Sequence, residues 1–260
     1  MLRLTRKYGY VLQNPSRVSE LLTLPYATRR VTMAGLANLA KFKGVYKEWK
    51  ELRENSGLKW ENRTSLDIVL DIINSPLKDI MEWLKEAVSG LPVEYGTVLV
   101  FNALTGLRVH EGINACKLLS DLDSQHKLDS YLNRELWMLE HFRFQQTFLR
   151  RCKNAYISLI TPELLQVVLK NKPVIKYATL DTKLSRLGLS NRSKQLRKYY
   201  GTVLRDVLPT EAIDLLEGRV SSSVFARYYY KPFLSDVRNK VMKIVEPIQW
   251  ELLYTLDNHQ

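Results

Sequence analysis

Cysteine and histidine are scarce in this chain. Its 260 residues hold two cysteines, Cys116 and Cys152, far apart and in no Cys-x-x-Cys pair. The four histidines, His110, His126, His141 and His259, show no metal-ligand spacing, so the sequence gives no zinc signature and no cofactor is expected. Unpaired, sparse thiols fit a reduced, intracellular setting. No apolar run approaches the roughly 20 residues that a bilayer span requires, and no signal-peptide core follows Met1. The expectation is a cytoplasmic protein, whole or a fragment, with no membrane partner. Acidic residues are also in deficit: 27 against 39 lysines and arginines, a net charge of +12. A surplus of that size points to a polyanionic partner, most simply nucleic acid.

Apolar residues recur mostly at helical spacing, and the expected fold is mainly α with a small β-hairpin or sheet (α+β). Residues 1–58 read as a basic helical domain with helices over 31–42 and 45–53. The polar run from Glu54 reads as a linker, placed at 59–65. Residues 66–260 form the second domain. Within it, 66–88 gives two amphipathic helices broken at Ser75-Pro76, and 95–104 a strongly apolar helix buried on most sides. That helix runs into Thr105-Gly106-Leu107-Arg108, ahead of a helix from Ile113. Residues 148–160 read as strand–turn–strand with a basic tip, Arg150, Arg151 and Lys153. Helices follow at 162–170, 179–187, 192–204 and 211–216, and a last one over 235–254 with Pro247 as a break.

Three cationic stretches stand out. Arg108 is followed three residues later by Glu111, which can accept from its guanidinium and hold its rotamer; a purely structural Arg–Glu pair fits the same spacing. Lys194-Gln195-Leu196-Arg197 opens a helix with positive charge in its first turn, against the macrodipole. That arrangement makes sense where an anion binds. Spaced three apart, Lys194 and Arg197 share one helix face. Gly218-Arg219 follows the next helix, and Tyr228-Tyr229-Tyr230 stand just beyond. Planar guanidinium forks match pairs of phosphate oxygens, and fixed cations stabilise a phosphoryl centre gaining charge. Tyrosine supplies a nucleophile that needs such help, although three adjacent tyrosines also suit packing.

The ordered set Thr105-Gly-Leu-Arg108, Lys194-Gln-Leu-Arg197 and Leu216-Glu-Gly-Arg219 followed by tyrosine resembles the tyrosine recombinases, the phage-integrase family. Lysine and arginine stand where most members have histidine, and histidine or tryptophan. In this the chain is similar to archaeal, fusellovirus-type integrases of viruses and plasmids. The resemblance implies that 1–58 is a helical core-binding domain, short at its N-terminus for a complete integrase and open to a preceding arm-type domain, and that 66–260 is the catalytic domain. It implies a site of Arg108, Lys153, Lys194, Arg197 and Arg219, with Lys153 on the hairpin as general acid and Arg150 and Arg151 beside it on phosphate. Bacterial-type spacing, nine residues past Arg219, selects Tyr228 as nucleophile, whereas the Arg-aromatic-Tyr-x-x-Pro frame selects Tyr229; Tyr229 is preferred, with Tyr228 second and Tyr230 third. The implied activity is site-specific DNA cleavage and rejoining through a 3′-phosphotyrosyl link, needing no metal or nucleotide. Double-stranded DNA attachment sites would be the partner, with a tetramer on DNA, a monomer when free, and a nucleoid-associated location. The alternatives are type IB topoisomerase-like cleavage and a non-catalytic DNA-binding protein on the same scaffold.

Overall fold

Helix-forming stretches dominate because apolar side chains repeat every three or four residues, and short β segments intervene around residues 132–159. The computed structural model describes residues 2–258 apart from 61–63, 74–75, 151–152, 220–227 and 229. These are mostly helical, with one small three-stranded antiparallel sheet. The chain divides into two compact units, Met1–Asn74 and Ser75–Gln260.

The first unit contains α1 (Leu2–Tyr8), two 3-10 turns (Gly9–Leu12 and Pro15–Val18), α2 (Ser19–Leu22), α3 (Tyr26–Phe42), α4 (Tyr46–Asn55) and α5 (Ser65–Ile73). Met33, Leu36 and Ala40 form the buried stripe of α3. They close a core with Tyr8, Val11, Val18, Leu21, Trp49 and Leu58. Pro25 caps α3, so the helix begins earlier than the stripe of apolar residues suggests.

The second unit opens with a 3-10 turn (Pro76–Asp79), then α6 (Ile80–Gly90), α7 (Val93–Thr105) and α8 (Val109–Ser124). Every residue of α7 from Gly96 to Thr105 is buried, and α6, α8 and later helices pack around it. A helix apolar on all sides finds that position because no face of it tolerates water. Strands β1 (Leu132–Asn133) and β2 (Met138–Leu139) pair in antiparallel register; α9 (Gln145–Phe148) follows, and β3 (Ser158–Leu159) pairs with β2. Next come α10 (Pro162–Asn171), α11 (Tyr177–Arg186), α12 (Ser193–Val203), α13 (Thr210–Leu216) and α14 (Leu234–Asp257). Thr161 caps α10, its hydroxyl accepting from the Leu164 N–H at 3.1 Å and donating to Gln249 Oε1 of α14 at 2.7 Å. Helices α10, α12 and α14 complete the layer around α7.

Two expectations need correction. The strand–turn–strand reading of 148–160 reduces to a single antiparallel bridge, Leu149 with Asn154, and β3 pairs with β2 instead. Phe148 ends a helical turn and is wholly buried against Tyr131 and His141, which takes it out of the hairpin. Nor does Pro247 break the last helix; it lies inside α14. Val241, Val245, Leu252, Leu253 and Leu256 are buried on both sides of it, and their packing outweighs the one backbone hydrogen bond that proline forfeits.

Candidate functional site

The end of α7 sets the position of the first arginine. Gly106 closes that helix in a left-handed conformation, φ +65°, and its N–H returns to the Asn102 carbonyl at 3.0 Å. A Cβ at Gly106 would stand 2.2 Å from the Tyr200 ring of α12, so glycine is required by space as well as by φ. Two residues later Arg108 caps α8. The fully buried Glu111 accepts from the Arg108 backbone N–H at 3.1 Å and from its guanidinium Nη1 at 2.8 Å. One carboxylate thus satisfies the helix start and aims the arginine.

The same Nη1 of Arg108 donates to the Asn154 carbonyl at 3.1 Å. Asn154 is itself held by its side chain: its Oδ1 accepts from the Arg150 N–H at 2.8 Å, and its Nδ2 donates to the Tyr156 hydroxyl at 3.0 Å. Lys153, the residue before it, is exposed. Arg150 is exposed too, and Arg151 lies outside the described residues.

Arg197 projects from α12, one turn after Lys194. Its Nη1 donates to the Gly106 carbonyl at 3.2 Å, and its Nη2 to the Glu217 carbonyl and, at 3.5 Å, to Glu217 Oε2. The side chain is 11% exposed, which makes it the inner member of the cluster. Burial holds its pKa below the ordinary arginine value. Arg108 and Arg219 push the same way, and Glu217 and Glu111 oppose them. Arg219 follows α13 and lies further out, 60% exposed, with Nη2 on Glu217 Oε2 at 2.8 Å and Nη1 on Asp214 Oδ1 at 3.4 Å. Gly218, φ +67°, lets this turn pass against the hairpin; a Cβ there would fall 1.8 Å from the Asn154 carbonyl oxygen.

Arg108, Arg197 and Arg219 therefore converge from three distant segments, tied through Gly106, Asn154, Glu111 and Glu217. Lys153 adjoins the Asn154 carbonyl that Arg108 contacts, and Lys194 shares the Arg197 face of α12; both are exposed, and among the described residues neither has an ion-pair partner. The α12 start is held by Asn191, whose Oδ1 accepts from Ser193 N–H at 3.1 Å and Oγ–H at 2.5 Å. Tyr229 lies outside the described residues. Tyr228 is exposed, and Tyr230 is half-buried, its hydroxyl pKa raised by burial and then by Glu211.

Glu217, Asn154 and the Gly106 carbonyl were not among the residues expected from sequence. Glu217 had one signal available: an acidic residue directly before Gly-Arg is placed to meet that arginine. Asn154 and Gly106 act through backbone oxygens, which residue type does not reveal. The chain matches no family model, no curated protein and no solved structure.

Proposed function

We propose that this chain is a tyrosine-type site-specific DNA strand transferase, an integrase of a mobile element. The observation that carries the reading is that Arg108, Arg197 and Arg219 are linked into one cluster through Glu111, Gly106, Asn154 and Glu217. Three guanidiniums so grouped form a clamp for a single phosphodiester, and the excess of twelve positive charges suits a DNA backbone. In the proposed reaction the Tyr229 phenol loses its proton and its oxygen attacks phosphorus. The P–O5′ bond breaks, and Lys153 gives a proton to the leaving 5′-oxygen. The three arginines neutralise the non-bridging oxygens as charge builds. Attack by a 5′-hydroxyl reverses the step and frees the tyrosine. A DNA-bound tetramer and a nucleoid location belong to the same proposal.

The test is a covalent adduct. A nicked suicide duplex carrying the cognate site should trap the protein on its 3′-phosphate, and Tyr229→Phe should abolish trapping while DNA affinity stays within about threefold. A second reading draws on the fact that all three guanidiniums already have protein acceptors: the cluster would then be a structural ion-pair network in a DNA-binding protein. That reading expects salt-sensitive binding and no adduct on any duplex.

A further inference from the structure

Glu217 puts a carboxylate inside a cluster of cations. Its side chain is 6% exposed, and Oε2 is shared by Arg219 at 2.8 Å and Arg197 at 3.5 Å, while its own carbonyl accepts from Arg197. One anion thus joins the inner arginine to the outer one. The other oxygen, Oε1, has a seat of its own. Gly201, within α12, faces it so closely that a Cβ on that glycine would lie 2.7 Å from Oε1. Glycine inside a helix is unfavourable by roughly 0.5–1 kcal/mol relative to alanine. At position 201 it leaves room for the Glu217 carboxylate.

Resting on the strand-transfer reading, we infer that Glu217 is a positioning residue, which fixes the reach of Arg219 toward the scissile phosphate through the seat left by Gly201. Arg219 is 60% exposed, and its second contact, to Asp214 at 3.4 Å, is long. Held by Nη2 on Glu217, Arg219 can release Asp214 and turn Nη1 to a phosphate oxygen without losing its anchor. Without Glu217 the exposed guanidinium keeps only the long contact to Asp214, and its ordering falls on the transition state. Removing the carboxylate makes the surface more positive, so ground-state DNA binding does not suffer.

The experiment measures single-turnover adduct formation at saturating duplex, alongside DNA affinity, for the full chain. Glu217→Gln should lower the cleavage rate by about tenfold or more, with affinity changed by less than about threefold. Gly201→Ala keeps the charge but fills the seat. It should slow cleavage comparably while leaving the melting temperature equal or higher, and it carries the test if Glu217→Gln does not fold. In an Arg219→Ala background, Glu217→Gln should change the residual rate by less than about twofold, because it acts through that arginine. Unaltered cleavage in Glu217→Gln or Gly201→Ala overturns the inference alone, as does a full additive loss in the Arg219→Ala background. Absence of any adduct from the unsubstituted protein overturns the strand-transfer reading, and this inference with it.

Discussion

A methyl group on Gly218 would meet the Asn154 carbonyl at 1.8 Å and Ala155 Cα at 3.0 Å, both main-chain atoms that cannot rotate away. The residue also holds a φ of +67°, which disfavours any side chain. Gly218→Ala should therefore destabilise the second unit by roughly 2–3 kcal/mol and separate the Arg219 turn from the hairpin. A shift of the urea midpoint with unchanged slope checks the first effect, and loss of adduct formation the second. The contrast with Gly201 is instructive, since an added methyl there comes within 3 Å of a side-chain atom, the Glu217 carboxylate oxygen, and of no main-chain atom. From sequence, Arg108 and Glu111 were readable as a pair, because their spacing is a property of the local chain. The link from Glu217 to Arg197 was not, because that contact depends on how α12 and the end of α13 approach each other.

At the scale of elements, Pro247 shows how packing overrides a local rule. It is exposed on α14, while Val245 and Gln249 beside it are buried, so its ring disturbs the backbone ladder without touching the core. Replacing it restores the missing N–H. Pro247→Ala should raise stability by roughly 1–3 kcal/mol, read as a higher melting temperature with α14 otherwise unchanged. The helical periodicity of α3, α7, α10 and α12 was legible in the sequence, since each has an apolar stripe or is apolar throughout. The sheet was not. Its strands are two residues long and register only through pairing between 132–133, 138–139 and 158–159, which no local pattern announces. Around the basic segment, the described residues make one bridge, Leu149 with Asn154, rather than two strands.

For the molecule as a whole, acid sensitivity follows from one buried ring. His141 is fully buried between the Tyr131 hydroxyl, 2.6 Å from Nδ1, and Ser158 Oγ, 2.8 Å from Nε2. A neutral ring satisfies both, one nitrogen accepting from a hydroxyl and the other donating to one. Burial pushes its pKa down from an ordinary 6.5 to about 3. Between those values the unfolded chain binds a proton that the folded chain refuses, so stability declines as pH falls from 6.5 toward 3 and is unaffected by this group above 6.5. The full loss is on the order of 5 kcal/mol. Urea denaturation at pH 7, 5 and 4 should show the decline, and His141→Gln should flatten it by one proton's worth of slope.

From Gly96 onward helix α7 has no face left for solvent, and the arginine-bearing segments are fastened to its end or to one another: Arg108 lies three residues past Thr105, Arg197 grips the capping Gly106, and Arg219 is bound to Arg197 through Glu217. Heat, denaturant or a core substitution that loosens this central rod should therefore disperse the three guanidiniums together, whereas a change at Glu217 or Gly218 acts at the Arg219 end of the cluster.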